Sequence, residues 1–161
     1  MINQSDIPKE AELFTSCFYS HRDYWSRRSF FTFGFIDQEL VEASGEEISW
    51  VDIDNSEGFW MFPSTRASVN GTEISLPGNK AIATIGAALA LVSDEVCEAL
   101  YKNIAGAWYS SKYQGYVIPK TTVANKRLPV FSVAVGDTDF IIHEDGLSFA
   151  SADDSHWYGG V

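Results

Sequence analysis

Short runs of β-branched and aromatic residues, each cut off by Gly, Pro, Asn or Asp, follow one another along most of this chain. The runs are Phe30–Ile36, Ile48–Asp54, Gly58–Val69, Thr72–Leu76, Ala81–Ile85, Gly115–Ile118, Pro129–Val135 and Phe140–Ile142. They are too short and too often interrupted for helices, and their composition suits a pleated, half-buried surface. Asn70-Gly71, between Arg66–Val69 and Thr72–Leu76, is a hairpin signal, because both residues tolerate the positive φ of a tight two-residue turn. The pattern predicts a mostly β fold.

Helical signals are few. Ser93 is a good N-cap for Ser93–Ala105, with Asp94 and Glu95 suited to the first turn and Lys102 to the last. Val96, Leu100 and Ile104 fall on one face, and Gly106 supplies a stop. A second helix is predicted over Ile7–Tyr19, where Ile7, Ala11, Phe14 and Phe18 share a face and Pro8 fits the first turn. At 161 residues and 45% hydrophobic, the chain can bury one substantial core, so a single domain over residues 1–161 is expected.

The formal net charge of −11 argues against nucleic acid and anionic membrane as partners, since both demand basic surfaces. The stretch from His21 to Arg28 is the local exception and reads as a solvated loop. No apolar run is long enough for a membrane span, and Met1–Glu10 lacks the basic start and apolar stretch of a signal peptide. Cys17 and Cys97 read as free thiols, which points toward a reducing compartment.

Other chemistry-bearing residues have bland readings. Asp153-Asp154-Ser155-His156 holds the residue types of a hydrolytic triad, but sequence neighbours do not form triads, and a polar hairpin turn is expected. His21, His143 and His156 have no metal-ligand spacing. Asp52 with Asp54, and Glu46 with Glu47, read as solvated carboxylates, and Asn3-Gln4-Ser5 and Asn70-Gly71-Thr72 are formal sequons only. The five tryptophans are expected in core or sheet-edge packing rather than in a ligand groove.

The segment Ala81–Val92, AIATIGAALALV, carries more. Around it stand Phe33-Gly34-Phe35-Ile36-Asp37, Ile48-Ser49-Trp50-Val51 and Asp54-Asn55-Ser56-Glu57-Gly58-Phe59-Trp60. After it come Tyr113-Gln114-Gly115-Tyr116-Val117, Leu128-Pro129-Val130-Phe131-Ser132-Val133 and Trp157-Tyr158-Gly159-Gly160-Val161. In this order, over residues 29–161, these resemble the C-terminal lobe of fungal-type pepsin-like aspartic proteases, with residues 1–28 matching loosely. The resemblance implies a single lobe of the acid protease fold. It puts the family's second catalytic Asp-Thr-Gly-Thr/Ser on Thr84, Ile85, Gly86 and Ala87. That chemistry needs two carboxylates close enough to share a proton, and threonine cannot supply one.

Further departures follow from the resemblance. No N-terminal lobe or flap has a counterpart, the sequence stops before the family's final Gly-Asp strand, and the family disulfide falls on Lys120 and Trp157. The expectation is a catalytically inactive, truncated lobe that needs no cofactor or metal. Gly86 would preserve the tight turn that presents the carboxylate, and Thr84, Ile85, Gly86 and Ala87 would floor a degenerate cleft. A bare interlobe face would seek a protein or peptide partner, a second copy included, but neither nucleic acid nor membrane. The alternatives are one chain of a two-chain protease, or a protein that binds and regulates active aspartic proteases.

Overall fold

A computed structural model describes residues 8, 11–19 and 28–161. Twelve strands and four short helices are present among them. The chain groups into two compact units, residues 1–49 and 50–161.

In the first unit, β1 (Phe14–Cys17) pairs antiparallel with β2 (Phe30–Phe33), with Phe14 opposite Phe33 and Thr15 opposite Thr32. The hydroxyls of Thr15 and Thr32 hydrogen-bond across the pair, and Phe18 packs edge-on against Phe31. The helix predicted over Ile7–Tyr19 is therefore overturned from Phe14 onward. Phe-Thr-Ser-Cys has low helix propensity, and the aromatic and hydroxyl pairs across the ladder reward the extended chain. Ile7 lies outside the described residues, as do His21 to Arg27 of the basic stretch. Helix α1 (Gln38–Ser44) was missed; Asp37 caps it by accepting the Leu40 N–H at 3.2 Å.

The second unit is built from two four-stranded antiparallel sheets and one two-stranded ladder. In the first sheet, β4 (Arg66–Val69) lies between β5 (Thr72–Ser75) and β9 (Phe131–Val135), and β9 pairs outward with β10 (Thr138–Ile142). The β4–β5 hairpin turns on Asn70 and Gly71 at φ 51° and 77°, the geometry their pairing predicts. The second sheet runs β11 (Ser148–Ser151), β12 (His156–Gly159), β8 (Gly115–Pro119), β7 (Trp108–Ser110). The ladder joins β3 (Met61–Pro63) to β6 (Lys80–Ile82). The run Ile48–Asp54 forms no strand, and only Asp54 bridges to Met61. Trp50 and Ile53 are exposed, so no neighbouring face rewards the alternation.

Helix α2 (Asp94–Lys102) follows the predicted pattern. Val96, Leu100 and Ile104 are buried together with Ala67, Val69 and Phe131 of the first sheet and Ile118 of the second. Ser93 occupies the N-cap position with extended backbone, but its hydroxyl makes no capping bond. The tail is held tightly. Tyr101 donates its hydroxyl to the Val161 carbonyl at 2.7 Å, and its ring stacks on Tyr116 at 4.0 Å between centroids. Burial pushes the Tyr101 phenol up to about 12. A methyl group on Gly160 would fall 1.8 Å from the Gly146 carbonyl oxygen, a backbone atom that cannot swing away.

The tryptophans meet the expectation of sheet packing in part, Trp108 on the edge strand β7 and Trp157 on β12. Trp50, Trp60 and Trp108 are all substantially exposed, with Trp50 79% accessible. Lys120 and Trp157, where the resemblance puts a disulfide, do lie side by side: the Lys120 ammonium sits 5.1 Å from the Trp157 ring centroid. A cation–π contact occupies the place of a covalent link. Cys17 and Cys97 are free thiols.

Two substitutions test this packing. Leu100→Ala should cost about 2–5 kcal/mol in denaturant unfolding, because it empties a fully buried site. Gly160→Ala should cost about 1–3 kcal/mol through overpacking against backbone, whereas Gly115→Ala, with open space around it and no positive φ, meets no such clash.

Candidate functional site: a carboxylate-free groove

The chain leaves β6 at Ile82, and the Ala83 N–H donates to the Trp60 carbonyl at 3.1 Å, carrying the ladder one step further. It then turns through Thr84, Ile85, Gly86 and Ala87 and runs to α2, the Ala90 N–H meeting the Gly160 carbonyl at 3.0 Å. Thr84 folds back on its own backbone: its Oγ1 accepts the Gly86 N–H at 3.1 Å. The side chain thus serves the local turn. Gly86 has no positive φ, and a methyl group there would meet only Thr84 Oγ1, at an unstrained 3.7 Å. The idea that this turn needs a glycine is therefore corrected; the threonine hydroxyl holds it. All four residues are exposed, with Ile85 at 66%.

Thr84 and Ala87 line a groove of about 890 Å³ in the second unit. Its walls come from β3, β6 and the Leu89–Ser93 stretch, with Val133 and Val135 of β9. Of the four positions named from the sequence, Ile85 and Gly86 are not among its lining residues. Among the described residues, no Asp or Glu lines the groove. Its charged members are two cations, Arg66 and Lys80, and both are already paired. Arg66 Nε lies 2.9 Å from Asp139 Oδ1, and Lys80 Nζ 2.7 Å from Asp54 Oδ2. The Lys80 hydrogen bond, with two from Ser56, holds the Asp54 carboxyl well below the usual range, and Asp54 in turn raises Lys80. Lys80 went unremarked in the sequence. The available signal was Asp54 in a Asp-Asn-Ser turn, which needs a counter-charge from whatever strand lies beside it.

Asp153 and His156 meet within the expected polar hairpin turn: His156 Nδ1 lies 2.9 Å from Asp153 Oδ1. The reason is local. Asp153 also accepts the Ser155 N–H at 2.7 Å, a turn that folds residue 156 back over the carboxylate. Ser155 contributes backbone, and the pair serves the β11–β12 hairpin that was expected there. The Tyr113 hydroxyl donates to Asp153 Oδ2 at 3.1 Å, and Trp108 meets the His156 ring edge-on at 4.7 Å. The Ser155 N–H, followed by His156 and Tyr113, draws the Asp153 carboxyl down to about 2 from an ordinary 3.8. Among the described residues no cluster of His, Cys, Asp and Glu could hold a metal, and no helix is long and apolar enough to cross a membrane.

A depressed carboxylate stabilises the fold above its ordinary pKa and loses that contribution as pH falls through its folded value. Asp153→Asn should therefore lower the melting temperature near neutral pH, with the gap to the parent closing as pH falls from about 4 to about 2. Thermal melts across that range measure it.

The profile of the family described as eukaryotic aspartyl protease matches residues 1–159. Aspergillopepsin-1 of Aspergillus pseudoglaucus is 34% identical over 131 residues, covering 81% of this chain and 32% of that protein. Aspergillopepsin-1 of Aspergillus oryzae matches to the same extent. Penicillopepsin-1 of Penicillium rubens is 32% identical over 133 residues, again covering 81% of this chain and 32% of its own length. The chain spans about a third of the length of the curated relatives it matches. Its twelve strands, four short helices and matched segments make a single lobe, and the chain belongs to the eukaryotic aspartyl protease family as a lobe of the fungal pepsin-like kind.

Proposed function

We propose that this lobe does not hydrolyse peptides and instead binds a peptide or protein partner through the groove beside Thr84. One observation carries the reading: the walls of that groove hold no carboxylate among the described residues. Acid proteolysis of this kind needs one carboxylate to activate water and another to protonate the substrate carbonyl. Thr84 offers no charge, and its oxygen already accepts the Gly86 N–H. Ile85 and Ala87 add no hydroxyl that could orient a carboxylate.

The groove suits an extended peptide. Among the described residues strand β6 pairs with β3 on one side only, and its last residue, Ile82, is 47% exposed. An incoming strand could take the backbone hydrogen bonds of the free edge while Leu89 and Val133 receive alternate side chains. A second copy of the chain could offer the same edge.

Three outcomes are expected. The purified chain should leave an acid-denatured protein substrate intact from about pH 2 to about pH 7; turnover that persists through purification and is lost with the Ala83–Ala87 segment altered would sink the reading. Thr84→Asp alone should remain without efficient activity, because a lone carboxylate lacks its partner and its orienting hydroxyls. Light scattering should reveal concentration-dependent association, or capture of a β-strand peptide that Ile82→Lys weakens; a strict monomer that takes up neither would remove the binding role.

A further inference from the structure

A second cavity of the 50–161 unit, about 590 Å³, lies between the start of α2, the β7–β8 hairpin and the β11–β12 strands. It is lined by aromatic rings, Tyr109, Tyr113, Tyr116 and Tyr158 among them, and by two carboxylates of α2, Asp94 and Glu98. Tyr109 meets Tyr116 edge-on at 5.7 Å, and Tyr113 meets Tyr158 edge-on at 5.4 Å, so the rings stand at angles to one another, with one face of Tyr116 already stacked on Tyr101.

The carboxylates are the unusual part. Asp94 and Glu98 are four residues apart on one helix, the spacing that brings like charges together and destabilises the helix. No ion pair to either is found among the described residues, and no Lys or Arg lines the cavity. Burial, followed by the charge of Asp94 and Glu98, raises the Cys97 thiol, and burial, followed by Cys97 and then the two carboxylates, raises the Tyr116 phenol. Tyrosine π-faces attract cations as well, and Lys112 already stands 4.6 Å from the Tyr113 ring centroid at the rim. Among the described residues no group of His, Cys, Asp and Glu could hold a metal ion, and aromatic rings stack well on a flat, weakly hydrated guanidinium. Leu91, 92% exposed at the cavity's edge, offers apolar surface for the aliphatic stem that carries such a group.

We propose that this cavity binds the arginine side chain of a peptide or protein partner, its guanidinium held between the Asp94 and Glu98 carboxylates and the tyrosine rings. The acidic charge of the whole chain steers such a partner in. The inference concerns a different place from the groove beside Thr84 and holds whether or not the lobe cleaves peptides.

The test is fluorescence polarisation at low salt with a labelled Gly-Arg-Gly-Arg-Gly peptide and its citrulline twin, which has the same shape without the charge. The arginine peptide should bind at least about tenfold more tightly than the citrulline peptide. Glu98→Gln should weaken it about fivefold to tenfold, Tyr109→Ala by a similar factor, and Asp94→Asn with Glu98→Gln should remove binding. Glu73→Gln, which changes an exposed carboxylate on β5, should leave it unchanged. Circular dichroism establishes that each variant is folded, and Tyr109 is exposed enough for its truncation to spare the core. Equal binding of the citrulline peptide, or an equal loss in Glu73→Gln and Glu98→Gln, overturns the proposal.

Discussion

One helix face holds the larger unit together. Val96, Leu100 and Ile104 of and just after α2 are buried against residues from both four-stranded sheets, so neither sheet has a core without the helix. Each such side chain contributes roughly 1.5–3 kcal/mol on burial. The amphipathic pattern that makes the helix therefore also fixes the two sheets in one body. The two cavities share the Leu89–Leu91 stretch just before it, and both reach its first turn, one at Asp94 and the other at Val96. Both candidate binding places are thus positioned by the segment that the core most depends on.

The far side of that core is closed by the tail. Tyr101, on the same helix, stacks on Tyr116 and bonds to Val161, while Gly159 and Gly160 pass so close to Tyr101 and Gly146 that no side chain fits. Beside it, the Lys120–Trp157 contact stands where the fungal family resemblance puts a disulfide. A cation–π contact of this exposure contributes about 0.5–1 kcal/mol, far less than a covalent cross-link typically does. The site tolerates this because β8 and β12 are already paired in register, Trp157 opposite Ile118.

The groove beside Thr84 and the tyrosine cavity have opposite electrostatics. The first is apolar with two neutralised cations, Arg66 and Lys80; the second is aromatic with two carboxylates that no base answers. An apolar wall favours backbone pairing and side-chain burial, and an acidic aromatic one favours a cationic group. A partner that offered an extended strand and an arginine would satisfy both chemistries.

Much of this was legible in the amino-acid order. Strand-forming runs, the Asn70-Gly71 turn, the buried face of α2 and the family resemblance all rest on local spacing, and local spacing is what a sequence displays directly. That Thr84, Ile85 and Ala87 carry no charge is likewise plain, since residue type alone decides whether a group can ionise. What only tertiary structure decided depends on partners distant in the chain. Phe14–Cys17 became a strand because Phe30–Phe33 lies beside it, whereas Ile48–Asp54 had strand composition and pairs only at Asp54, with Met61. Lys80 acquired its role from Asp54, and Tyr113 from Asp153, across stretches that no periodicity spans. Even Gly86 was misjudged, because the Thr84 hydroxyl, rather than glycine's freedom, holds the turn. Composition sets what each residue can do, but long-range contacts choose which of those capacities is used, since only they determine burial, pairing and the charges nearby.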